Sequence, residues 1–172
     1  MAAPEVFAWE GDIQVFDGVA AAARGDAILI LWRTPARRER ILRAVGWIDA
    51  LLARSPDTVV VCQLLLSSAS PPNREGRTVA KPEALRLAAR VRRAVMVPLG
   101  DSAWQAIVRA ILRAGVMIAG HASQLKIASN ERQAVDSILE VATPRSASRA
   151  ELDAAVGALY VAVGLTPPPA RS

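Results

Sequence analysis

Asp101, Ser102 and His121 are the residues whose types could do chemistry together, because a carboxylate, a hydroxyl and an imidazole can make a nucleophile and its base. Asp101 and Ser102 are adjacent in the stretch Arg93–Ala119, RAVMVPLGDSAWQAIVRAILRAGVMIA, and His121 follows closely. His121 is the only histidine, and no nucleophile–base spacing accompanies it, so a structural role is the plainer reading. A Ser-His-Asp triad assembles from distant positions and stays open on sequence alone. No catalytic residue is assigned. Cys62, the single cysteine, lies among Val and Leu, where a thiol behaves as a small buried hydrophobe. A metal site would have to lean on carboxylates, and no acidic cluster is present, so neither metal nor cofactor is expected. Gly25 and Gly76 lack the glycine and lysine spacing of a phosphate loop.

The net charge of +5 comes almost wholly from arginine, since Lys81 and Lys126 are the only lysines. Arg33–Arg43 and Arg86–Arg93 are the dense patches, and both fall on expected helices. Solvated helix faces explain them more simply than a nucleic-acid footprint, because stacking aromatics are not interleaved. Hydrophobic residues make up 52% and aromatics 4%, a composition that buries a core of Ala, Val, Leu and Ile. The most apolar stretch, Ala103–Gly120, is interrupted by Arg109 and Arg113 and is too short for a transmembrane span. No basic-then-apolar leader is read, and one cysteine fits a reducing compartment, so the cytoplasm is the expected location.

The elements that must position these residues alternate. Val6–Trp9 and Ile13–Phe16 read as a hairpin around Glu10-Gly11-Asp12, and Asp17–Asp26 as a loop or one helical turn. Ala27–Arg33 and Thr58–Leu66 are continuous apolar runs, the pattern of strands covered on both faces. Between them Thr34-Pro35 opens a helix to Arg54 that buries Ile41, Val45, Ile48 and Leu52 and shows Arg37, Arg40 and Arg43 to water. Ser67–Lys81 reads as a long polar loop and Pro82 as the start of a helix with Leu87 and Val91 on one side. Ala94–Leu99 and Gln124–Ala128 are the remaining strands. Asn130 with Gln133 caps a helix over 131–142, and Ser148 with Glu151 caps another up to Gly164. The expected fold class is α/β: a mostly parallel sheet with an N-terminal antiparallel hairpin and helices packed on it. The expected units are a domain over 1–142, an appended C-terminal helix within 143–166 and a disordered tail at 167–172.

At Gly100-Asp101-Ser102-Ala103-Trp104-Gln105 the sequence resembles the SpoIIAA-like branch of STAS domains, in which a strand ends in a Gly-Asp-x-x-Trp turn opening a long helix. The element order from Ala27 to Ala142, and the hairpin before it, are similar. The pattern also looks like bacterial proteins of myxobacterial type, rich in Ala and Arg. The Ser148–Gly164 helix departs from the family's minimal pattern, which stops one helix earlier. The resemblance implies a module that acts by binding. In the regulatory members of the wider family a serine at this turn is phosphorylated and the phosphate toggles partner binding, and Ser102 stands at the corresponding turn. Those regulators follow Asp-Ser with a small residue and glycine, whereas Ala103-Trp104 follows here. Plain N-capping by Asp101 or Ser102 therefore stands beside phosphorylation.

Trp104, Ile107, Val108, Ile111, Leu112, Val116, Met117 and Ile118 leave only a narrow polar strip holding Gln105, Arg109 and Arg113. An ordinary surface helix hides about a third of its circumference, so a second face of this one should meet something else. The terminal helix, or the preceding one, can cover it within the chain. The sharper readings are a homodimer seam or protein-partner surface, with the chain a non-enzymatic regulatory module, and a lipid or other hydrophobic ligand with Arg109 and Arg113 at headgroup level. SpoIIAA-like domains are related in fold to lipid-carrying domains. A small enzyme with its site at the 100–104 turn is a third reading, because clefts beyond the carboxyl ends of parallel strands are common sites.

Overall fold

Two apolar runs make the centre of the molecule, as the absence of any polar alternation requires. β3 (Ala27–Trp32) is buried at every residue, and β4 (Val59–Leu66) pairs with it in parallel. Burying a large aliphatic side chain is worth about 1.5–3 kcal/mol, and Ile28 to Leu31 supply four in a row to alternate faces. The computed structural model describes residues 13–55, 57–101, 103, 105–110 and 124–169. Around the central pair lie β1 (Ile13–Phe16), β2 (Val19–Arg24), β5 (Val91–Leu99) and β6 (Leu125–Ile127). The six strands stand in chain order, with β1, β2 and β3 antiparallel and β3 to β6 parallel.

Helices cover both faces. On one side α1 (Arg38–Arg54) lays Ile41, Ala44, Trp47, Ile48 and Leu51 on Ile28, Ile30, Val59 and Val61, beside α2 (Arg74–Ala88). Arg86 clamps α2 to α1 with a two-pronged pair of bonds to Asp49 at 2.9 and 2.8 Å. On the other side α3 (Glu131–Leu139) and α4 (Arg149–Ala162) enclose Leu29, Leu31, Cys62, Leu64, Val95 and Val97. Leu152, Ala155 and Leu159 of α4 are fully buried there, so the terminal helix packs on the sheet of its own chain.

Several local expectations change. Asp17–Asp26, read as a loop or helical turn, is mostly β2. Its alanines have poor strand propensity, but Ala20, Ala21 and Ala22 are fully buried because short side chains let helices sit close on both faces. The antiparallel edge strands are present, with the hairpin turn at Asp17-Gly18: φ is 47° and 78° there, the two positive values a type I′ turn demands. Val6–Trp9 and Glu10-Gly11-Asp12 lie outside the described residues. Thr34 does not cap α1; its hydroxyl donates to Asp17 O at 2.8 Å, and the helix starts later, at Arg38, with Arg37 in the N-cap position. Arg40, expected in water, is buried and donates to Asp17 Oδ2 through Nε at 2.9 Å and Nη2 at 2.5 Å.

The long loop at Ser67–Lys81 is short instead. Asn73 Oδ1 accepts from Gly76 N at 2.8 Å and starts α2 at Arg74, leaving Pro82 inside the helix. Only Gly76 and Leu87 of α2 are buried, so it carries almost no apolar period to read. Val91, expected on that helix, begins β5. Pro98 sits beyond the Ala94–Met96 stretch that pairs with β6, where its missing N–H costs no ladder bond. Asn130 caps α3 through Gln133 N at 2.9 Å, while Gln133 Oε1 accepts from Ser129 N rather than from Asn130. α3 ends at Leu139, short of the expected 142. Ser148 and Glu151 form the expected reciprocal capping box. Gly164, at φ 75°, ends α4 in a Schellman motif: Leu165 N donates to Tyr160 O and Gly164 N to Val161 O, both at 2.9 Å.

Candidate functional site

β5 delivers the chain to the turn at residues 100–104. Gly100 has φ 150°, a backbone setting that favours glycine, and Asp101 follows exposed. Asp101 O accepts from Gln105 N at 3.0 Å, the first helical bond, and Gln105 Nε2 donates to Gly100 O at 3.3 Å. Ser102, Trp104, Ile111, Arg113 and His121 lie outside the described residues.

From 105 to 110 the chain is helical, and its two sides differ. Val108 is buried, at 4% exposure. Ala103, Ala106, Ile107 and Ala110 are all exposed, at helical spacing that puts them on one stripe, and Ile107 is 54% exposed. Between the two sides Arg109 Nη2 donates to Ser129 Oγ at 2.9 Å and more weakly to Gln105 Oε1, tying the segment to the β6–α3 loop.

The structure assembles a second polar cluster that no local signal announces. Asp26, 5% exposed, lies at the amino end of β3. Arg92 Nη2 donates to its Oδ2 at 2.6 Å, Thr143 Oγ1 to the same oxygen at 3.0 Å, and Ser146 Oγ to Oδ1 at 2.8 Å. Arg92 is itself used up, with Nε on Val141 O and Nη1 on Thr58 O. Burial alone would raise the Asp26 pKa, but the hydrogen bonds from Arg92, Ser146 and Thr143 together hold the carboxyl below its usual range. An open cavity of about 380 Å³ adjoins it, lined by Gly25, Arg54, Ser55 and Arg145 among others. A carboxylate with three donors is a poor proton acceptor, so this cluster is a latch holding the α3–α4 connection to the sheet.

Cys62 is fully buried, and desolvation pushes its thiol up to about 12, which keeps it protonated and unreactive. Among the described residues no helix is long and apolar enough to cross a membrane.

No protein-family model and no curated protein matches the chain. Among solved structures, it is similar to an uncharacterized protein of the DUF3478 family with a SpoIIAA-like fold from Shewanella loihica PV-4. The TM-score is 0.53 at 12% sequence identity, and the likeness covers 73% of this chain and 97% of that one. At that identity the likeness is one of backbone arrangement alone. The chain has a SpoIIAA-like fold.

Proposed function

We propose that the chain is a non-enzymatic protein-interaction module whose contact surface is the outer stripe of the helix after Gly100, and that a second copy of the chain binds there. The observation that carries this is the exposure of Ile107, at 54%, in line with Ala103, Ala106 and Ala110. A stripe of one branched and three small side chains lets a second helix approach closely, and it is self-complementary across a twofold axis. Ser102, one residue before the stripe, is the position at which a phosphate would switch the contact by adding charge beside an apolar seam.

Light scattering over a concentration series tests the reading. The parent chain is expected to dimerise, and Ile107→Glu to weaken the dimer at least about tenfold, since it sets a charge in the centre of the seam. A parent that stays monomeric throughout the series overturns the self-association reading.

A further inference from the structure

α1 and α2 share one face of the sheet, and they are held there very differently. α1 buries seven of its residues, among them Ile41, Trp47, Ile48 and Leu51. α2 is nearly as long, yet it buries only Gly76 and Leu87, one near each end. Between those two points Val79 and Ala80 are half-buried against the core shared with α1, while Arg77, Thr78, Lys81, Pro82, Ala84 and Leu85 are exposed.

Helical propensity does not offset the missing burial. Pro82 stands in the interior of α2, where it brings no N–H to Thr78 O and its ring crowds that carbonyl. No other residue is as unfavourable inside a helix. What fastens α2 is therefore local to its ends. At the start the Asn73 cap closes on Gly76 N at 2.8 Å, and a Cβ built on Gly76 would stand 2.7 Å from Ala36 O and 3.2 Å from Ile41 Cδ1. At the end Leu87 is the one large apolar side chain of α2 that is buried, and Arg86 forks onto Asp49. Both partners of that ion pair are nearly half exposed, so water and salt weaken it.

We infer that α2 is a releasable strap: residues 74–88 leave α1 and the sheet and unwind as one unit while the strands and α1 stay folded, which opens the core at Val79 and Ala80 to solvent. The free energy of a local opening follows the apolar surface that it exposes, and that surface is small for α2 and large for α1 or β3. A helix of fifteen residues with a proline inside does not persist off the core, so release is also unwinding. The release is bounded. Beyond α2 the chain is tied again by Val59 N on Arg90 O at 2.9 Å and by the pairing of β5 with β4, and before α2 by Ser68 Oγ on Arg33 O. This inference is independent of the self-association reading, which rests on a different helix.

Native-state hydrogen exchange of the whole chain, followed in rising sub-denaturing urea, tests it. The α2 amides should exchange at least about a hundredfold faster than those of β3, and with little urea dependence, because the opening exposes little surface. Pro82→Ala should slow exchange of the α2 amides by about tenfold or more, since it restores a helical donor to the closed strap. Ile138→Val, a fully buried site of α3 on the opposite face, should speed β3 exchange about two- to tenfold and leave α2 exchange unchanged, because that face stays packed when the strap is open. α2 amides that exchange at the rate of β3 with the same urea dependence overturn the inference. So does Ile138→Val acting equally on α2 and β3, or Pro82→Ala leaving α2 exchange as it was.

Discussion

The two ends of the parallel strands both carry arginine, and they use it in opposite ways. At the amino end Arg92 gives all three of its nitrogens to partners, and Asp26 receives three donors in return. At the carboxyl end Arg40 is buried on Asp17, yet Arg37, Arg38 and Arg74 stand exposed at the starts of α1 and α2. The contrast separates charge that holds the fold from charge that the fold merely displays. An ion pair that is buried and fully bonded is hard to dismantle, because removing one side leaves the other stranded. Charges in water are nearly free to change.

The largest effect should come from Asp26→Ala. It strands the Arg92 guanidinium and frees Thr143 and Ser146 together, and about 3 kcal/mol of stability should be lost in urea unfolding. A loss under half of that would mean that the cluster is not a latch. Gly25→Ala attacks the same corner through the backbone. Gly25 has φ 57°, and a Cβ there would fall 2.3 Å from Arg145 O, so about 2 kcal/mol should be lost, read as a lower Tm.

Acid sharpens the comparison further. The folded state holds the Asp26 carboxyl below its ordinary 3.8, so the unfolded chain binds the proton more readily. The stabilisation is present above the unfolded pKa and is lost as pH falls through the folded one. Stability measured between about pH 2 and 6 should therefore drop on the acid side, and Asp26→Asn should flatten that drop. The smallest effect belongs to the other edge: Arg37→Gln/Arg74→Gln should change unfolding stability by no more than about 0.5 kcal/mol. A large loss of stability from that pair would erase the distinction between the two ends.

Legibility in the sequence followed the range of the interactions. β3 and β4 announce themselves because an unbroken apolar run has one good solution, a strand covered twice. Ser148 and Glu151 announce α4 because both capping bonds close within three residues. β2 does not, since Val19-Ala20-Ala21-Ala22 looks like helix or loop until helices are known to pack tightly on both sides. α2 hides for the opposite reason, having little apolar face. The motif at Gly100–Gln105 was legible as a strand–helix turn, and residues 105–110 as the start of an apolar helix. Which of those apolar residues face outward was not legible, because that depends on where the sheet lies.

By itself, then, the sequence determined the alternation of strand and helix, the two buried central strands and the caps of the last two helices, all set by contacts between near neighbours. Tertiary structure alone decided that Asp26 meets Arg92 and Ser146, 66 and 120 residues away, that Arg40 is buried, and that α1 and α2 start against one another. The physical reason is that burial and charge pairing are properties of a place in the fold, and a residue's chain neighbours do not say which distant segment will share that place.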